Sequence, residues 1–293
     1  MITIFCTPKN FDGIFDVIQK NALRSWRKIS PDIEIIIFGD SYGACEMAKE
    51  INGIYYPDVK CSESGVPLLS DLFLNANKLC SFETLMFINS DIIIPQNILS
   101  ALNYVRDSFP RFLSVGFRWD MDVTNKIDFE NNDEVEFFWE KAEYESIKSS
   151  PAAIDYFIFT KNTIKNLPNF VIGRPGYDNW LLWHARRMQI PLIDLSNEIK
   201  VIHQNHHFNF HNLKKDPKVH LEKDGLHNRR IHGNKVLNLL DANYELRNAS
   251  ILKKQSKEWI NRNLRSLPQI YPEFSLVLKI YRKLYHNFFH KYF

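Results

Sequence analysis

The feature that most constrains the fold is the stretch Thr84–Pro95, where apolar and β-branched residues run on both sides of one polar break, Asn89-Ser90-Asp91. Such a run marks a strand buried on both faces, because a sheet with one wet face would alternate polar and apolar positions. Ile33–Phe38 has the same character, and Met1–Cys6 is a third short apolar strand. Between these last two, Ile14, Ile18, Ala22, Leu23 and Trp26 fall at helical spacing within Phe11–Ile29. Strand, helix, strand with fully apolar strands predicts an α/β fold with a mostly parallel sheet covered by helices on both faces.

The rest of the chain continues the pattern. Helices are predicted over Ala44–Ile51, from Gly65-Val66-Pro67 to Leu79, and over Ile98–Asp107. Strands are predicted over Ile54–Val59, Phe112–Phe117, Ala153–Phe159 and from Lys200 into the histidines that follow, with an exposed acidic helix or lid over 128–149. With 293 residues, 45% hydrophobic and 24% charged, the chain is globular and long enough for one large domain or two small ones. A net charge of +3 gives no argument for nucleic acid. Cys6, Cys45, Cys61 and Cys80 form no CxxC pair and read as reduced thiols. No run approaches the ~20 apolar residues of a membrane span, and the first residues enter a strand directly. A cytoplasmic location, with or without a peripheral place at the inner face of the cytoplasmic membrane, is the expectation.

In an open α/β sheet, ligands bind beyond the carboxyl ends of the strands. The polar strand ends Thr7 to Lys9, Asp40 and Asp91 are predicted to share that edge. Asp91 there either turns the chain or holds a divalent cation, which in turn holds a diphosphate. Asp71, Asn75 and Lys78 lie on one helix face, either solvated or offering hydrogen bonds to a ribose, base or phosphate. Asp155 interrupts an apolar strand and needs a partner, structural or functional. Asp178 follows the tight turn Gly173-Arg174-Pro175-Gly176 where an N-cap or first-turn acid belongs. Capping does not explain why Arg174, Asn179 and Trp180 crowd the same turn. Seven of the ten histidines lie between His203 and His232, and His203, at a strand end, is the best ligand candidate.

The order of these pieces resembles nucleotide-sugar-dependent glycosyltransferases of the GT-A fold. The likeness is to a bacterial and plant family with an Ile-Asn-x-Asp-Ile strand end and a Gly-Arg-x-Gly-Trp/Tyr-Asp-Asn-Trp-Leu motif. Here these are Ile88-Asn89-Ser90-Asp91-Ile92 and Gly173-Arg174-Pro175-Gly176-Tyr177-Asp178-Asn179-Trp180-Leu181, with Gly65-Val66-Pro67-Leu68-Leu69, Arg118-Trp119-Asp120-Met121-Asp122, Ile154-Asp155-Tyr156-Phe157 and Ile202-His203-Gln204-Asn205-His206 in the same order. The resemblance covers about residues 1–245, which it implies are a catalytic domain with a mobile loop over 208–233. It implies metal-dependent transfer of a sugar from a nucleotide-diphosphate sugar to a glycan or lipid-linked acceptor, as in surface polysaccharide assembly. Asp91 and His203 would hold Mn²⁺ or Mg²⁺, and Lys9 or Arg174 would add positive charge. Asn89 stands where such enzymes usually carry a first Asp; it suits a ribose hydroxyl, and restoring an acid there should not harm binding. Asp178 matches the general base of inverting enzymes, Tyr177 and Asn179 an acceptor pocket, Asp155 and Asp120 groups that hold sugar hydroxyls, and Trp180 and Trp119 either sugar-stacking or core rings. The alternatives are a nucleotidyltransferase, against which the glycine-free Thr7-Pro8-Lys9-Asn10 speaks, and an inactive carbohydrate-binding relative, for which Asn89 speaks.

The tail, 246–293, lies outside the resemblance. Leu276, Val277, Ile280, Leu284, Phe288 and Tyr292 fall at helical spacing, with Lys279, Arg282, Lys283 and Lys291 and no acid after Glu273. A basic, aromatic-rich helix of this kind either lies in an anionic membrane interface, making peripheral contact through 274–293, or packs on the catalytic domain.

Overall fold

The structure, a computed structural model, describes residues 1–206 and 223–292. The chain runs β1 (Thr3–Cys6), α1 (Gly13–Ile29), β2 (Glu34–Phe38), α2 (Ala44–Glu50), β3 (Ile54–Tyr56), α3 (Leu69–Leu79) and β4 (Thr84–Ile88). It continues β5 (Ile92–Ile93), α4 (Ile98–Ser108), β6 (Leu113–Val115), β7 (Arg118–Met121), α5 (Asn132–Glu145), β8 (Ile147–Lys148) and β9 (Tyr156–Thr160). Then come α6 (Tyr177–Arg187), β10 (Leu192–Asp194), β11 (Val201–Gln204), α7 (Lys223–His232), β12 (Tyr244–Arg247), β13 (Ser250–Lys253), α8 (Lys257–Ile270) and α9 (Ser275–Tyr292).

Among the described residues the strands form a nine-stranded sheet, ordered β13-β12-β10-β6-β9-β4-β1-β2-β3, and a four-stranded sheet, β5-β11-β7-β8. The large sheet is mostly parallel, as its apolar runs predict, and both faces are covered. Ile4 and Cys6 of β1 look into a core with Trp26 of α1, Met47 of α2 and Leu102 of α4. Phe5, between them, looks into the other core, with Phe73 of α3 and Leu181 of α6. The alternation of one strand between two apolar clusters is the physical content of the unbroken run.

Two elements depart from expectation. β9 is antiparallel to both β4 and β6. It therefore begins, rather than ends, at the carboxyl edge of the sheet, and Asp155 lies just ahead of it instead of inside it. The boundary expected at 245 runs through β12, and the β12–β13 hairpin extends the large sheet beside β10. The tail proper begins at α8, fixed by Ser256 Oγ on Trp259 N (3.1 Å) and by Arg262, which grips the buried Asp241 at 2.7 and 2.8 Å. Of the loop expected over 208–233, residues 207–222 lie outside the described residues, and Lys223–His232 is a helix, α7. None of the described helices is long and apolar enough to cross a membrane.

Candidate active site and metal centre

The site forms where the two sheets meet. β4 ends at Ile88, the chain turns through Asn89-Ser90-Asp91, and β5 pairs antiparallel with β11, which is parallel to β7. In this register His203 stands beside Ile92 on one side and Asp120 on the other. Gln204, fully buried, holds the turn: its main-chain N and its Nε2 each donate to Asp91 O at 3.1 Å, and Nε2 also donates to Ile18 O at 2.7 Å. Gln19, on α1, brackets the Lys9 main chain at 2.7 and 3.0 Å and accepts from Ser90 Oγ at 3.0 Å. Helix α1 thus fixes the ends of β1 and β4 relative to each other.

Asp91, His203 and His206 bring one ligand atom each within 4.8 Å of one another. His203 Nε2 lies 3.6 Å and His206 Nε2 3.5 Å from Asp91 Oδ2. Asp91 Oδ1 is buried and has no hydrogen-bond partner among the described residues. A buried carboxylate oxygen without a partner is costly, and the other oxygen of the same carboxylate, Oδ2, faces the two imidazoles, so that one carboxylate and two ring nitrogens make a donor set for a first-row divalent cation such as Mn²⁺. The residues fit a divalent cation. Burial would raise the Asp91 carboxyl, yet the two imidazoles hold it well below the usual carboxylate range. Burial would likewise lower His203, but Asp91 and Asp120 push it up to about 9. Asp120 Oδ1 stands 2.9 Å from His203 Nδ1, a close charged contact on the side of the ring away from Asp91.

His206 is a ligand candidate that the sequence reading did not single out. Its only signal was its place three residues past His203. Its ring lies 5.3 Å from that of Phe15, over which Lys9 Nζ sits at 4.2 Å. Lys9 is lowered by burial; Asp91 counteracts this and the charge of Arg174 adds to it. Lys9 thus lies within electrostatic reach of both Asp91 and Arg174.

Asp178 lies in the first turn of α6. Gly176 enters the helix with φ +109°, and a Cβ there would meet His232 Cδ2 at 2.4 Å, so the position takes only glycine. Asp178 Oδ1 accepts from Gly176 N at 3.2 Å. Burial, resisted by the Asn179 amide and helped by the charge of Asp155, pushes the Asp178 carboxyl up to about 6. Tyr177 is also held up by burial, and it feels Asp178, Asp155 and Asp91 together while its hydroxyl meets Asn89. Tyr177 thus lies within electrostatic reach of both the acid and the metal cluster.

Other expected residues are placed more diffusely. Thr7 sits against Gly39, next to Asp40, and Asp40 and Asp71 both lie within electrostatic reach of Cys61, on one flank of the edge. Asp71 is engaged by Lys60 N (2.9 Å) and Asn75 Nδ2 (3.0 Å). In the expected acceptor set, Asp120 faces the cluster. Asn179 ties down Ala152 O at 3.2 Å. Of the two roles expected for Trp180 the structure shows the core one, not the acceptor-stacking one: it is 5% exposed, with its ring stacked on His184 at 4.7 Å and tilted on Phe170 at 5.4 Å. Trp119 is half-buried with Lys200 Nζ over its ring at 4.5 Å.

No protein-family model and no curated protein sequence matches the chain. Solved structures do. S. aureus TarS 1–349 in complex with UDP-GlcNAc aligns over 92% of this chain and 72% of its own, at 11% identity and a TM-score of 0.50. The fold is GT-A. In the UDP complex of the same protein the alignment spans 41% of this chain and 36% of that one, with a TM-score of 0.33. Glucosyl-3-phosphoglycerate synthase from Mycobacterium tuberculosis with Mg²⁺ and UDP aligns over 71% and 73%, at 12% identity and a TM-score of 0.44. The mannosyltransferase PcManGT from Pyrobaculum calidifontis with GDP-Man and Mn²⁺ aligns over 72% and 58%, at 12% and 0.45. At such identities the likeness is one of fold. The antiparallel β9 and the two-sheet junction are the parts of this GT-A fold that build the site.

Proposed function

We propose that the protein is a glycosyltransferase that moves a sugar from a nucleotide-diphosphate sugar to a glycan or lipid-linked acceptor, with inversion, in surface polysaccharide assembly. The observation that carries the reading is the gathering of Asp91, His203 and His206, with Asp91 Oδ1 left without a partner and Tyr177 within electrostatic reach of both Asp91 and Asp178. Asp91, His203 and His206 would hold the cation, which when bound neutralises charge on the leaving diphosphate. Lys9 and Arg174 add donors on that side. Asp178, with its carboxyl near 6, accepts the proton of the acceptor hydroxyl as the oxygen attacks the sugar carbon opposite the diphosphate. Titration calorimetry with UDP, GDP and CMP, each with and without Mn²⁺, tests this: at least one should bind only when metal is present. Nucleotide binding indifferent to metal would point to another class, and no binding at all to a carbohydrate-binding relative.

The tail supports a membrane-borne acceptor. Leu276, Val277, Ile280 and Leu284 are 71, 65, 54 and 62% exposed, an apolar stripe on α9 facing away from the core. Combined with the excess of basic residues in 274–293, this suits peripheral binding to anionic lipid. The full chain should co-sediment with phosphatidylglycerol vesicles, less so as salt rises. Replacing Leu276, Ile280 and Leu284 together by Glu should abolish this without moving the unfolding midpoint. Unchanged sedimentation would remove the membrane from the reading.

A further inference from the structure

Asn89 and Asp155 face each other where β4 leaves and β9 enters the large sheet. The pairing of Ile88 with Tyr156 continues one step, with Asn89 N donating to Asp155 O at 2.9 Å. At the same level Asn89 Nδ2 donates to Asp155 Oδ1 at 2.6 Å. The other oxygen, Asp155 Oδ2, accepts from Arg118 Nη1 at 2.7 Å. Arg118 Nε lies 3.0 Å from Asp120 Oδ1, which in turn lies 2.9 Å from His203 Nδ1. Two hydrogen bonds, Asn89 to Asp155 and Arg118 to Asp155, are therefore followed by two close charged contacts, Arg118 to Asp120 and Asp120 to His203, that cross from the large sheet to the small one and end on the imidazole whose other nitrogen faces Asp91. All five residues are half-buried or buried, where an unmet partner costs most.

We propose that Asn89 is a positioning residue: position 89 must present an amide to Asp155, and through Asp155, Arg118 and Asp120 that contact orients His203 toward the cation site. The inference rests on the metal reading proposed above. A carboxylate only accepts hydrogen bonds, so only the amide nitrogen of Asn89 completes the contact. This reverses the expectation that an acid at 89 is harmless. Asn89→Asp would set two carboxylates at hydrogen-bond distance, which repel each other wherever both are ionised. Arg118 would be left to serve both of them and Asp120. Drawn toward the new charge, Arg118 would leave Asp120, and Asp120 would no longer hold the His203 ring.

Two measurements test it on the full chain: Mn²⁺ titration followed by the electron paramagnetic resonance of the free ion, and the thermal unfolding midpoint. Asn89→Asp should weaken Mn²⁺ binding by at least about tenfold, the range for residues that orient metal ligands. It should do so more than Asn89→Ala, which drops the contact without adding charge. The double exchange Asn89→Asp with Asp155→Asn rebuilds the pair with the amide on the other strand and still offers Arg118 an acceptor. It should recover most of the Mn²⁺ affinity and the midpoint. Mn²⁺ binding by Asn89→Asp as tight as or tighter than wild type would overturn the proposal, as would a double exchange no better than the single change. If the wild-type chain takes up no Mn²⁺, the metal reading fails separately. The order of midpoints, Asn89→Asp lowest and the double exchange restored, then still decides whether position 89 requires an amide.

Discussion

Asp178→Asn should slow sugar transfer by at least ~100-fold, the usual loss when a general base is removed, with donor affinity almost unchanged. The amide keeps the size and the contact with Gly176 N, so the helix start survives while the proton acceptor is lost. The pH profile gives a second, independent signature. In the proposed role Asp178 acts as the carboxylate, and its ionised fraction falls as pH drops through about 6. The wild-type kcat/KM should therefore decline about tenfold per pH unit below that point and level off above it. An unperturbed Asp, near 3.9, would leave the rate flat down to about pH 5. In Asp178→Asn the residual rate should lose this limb. Weakened nucleotide binding with normal turnover would instead place Asp178 on the donor side.

Asp91→Ala should abolish Mn²⁺-dependent nucleotide binding and leave the fold intact. The contacts that hold this turn are made by the main chain: Gln204 reaches Asp91 O, not the carboxylate. The side chain is 19% exposed and pairs with His203 and His206, both of them ligands in the proposed site rather than supports of the turn. Removing it takes away the one anionic ligand and leaves two imidazoles, too few for a hard cation that prefers oxygen. Calorimetry with nucleotide and Mn²⁺, beside a thermal melt, separates loss of the site from loss of the fold. Full metal-dependent binding in the variant would move the cation elsewhere.

What could be read from the sequence depended on how locally each feature is encoded. The β4 run, the α1 stripe and the strand-end acid are written within a few residues, and the fold they imply is present. His203 could be chosen because it ends an apolar strand. His206 could not, because its approach to Asp91 depends on how the chain leaves β11. Asp120 stands beside His203 only through the parallel register of β7 and β11, and these strands are about eighty residues apart in the chain. Trp180, beside Asp178, could be a sugar platform or a core ring on sequence alone, and helical periodicity turns it inward onto Phe170. The direction of β9 was hidden for a further reason. A buried strand of either direction shows the same apolar run, so nothing announced that Asp155 would open the strand at the ligand edge and meet Asn89.

The seat of His203 in the small sheet carries a consequence for how the gene can drift. β11 is clamped between β5 and β7, and neighbouring residues on it face opposite ways: His203 looks to the site while Ile202 is packed in the apolar cluster with Phe138 and Met121. A loss or gain of one residue in 195–200 would slide β11 by one step and exchange those faces, burying the imidazole in hydrocarbon and offering isoleucine to the cation. A change of two residues would keep every side chain on its own face. Length variation in this connection is thus constrained by parity more than by size, whereas a surface loop elsewhere in the chain can absorb insertions of either kind.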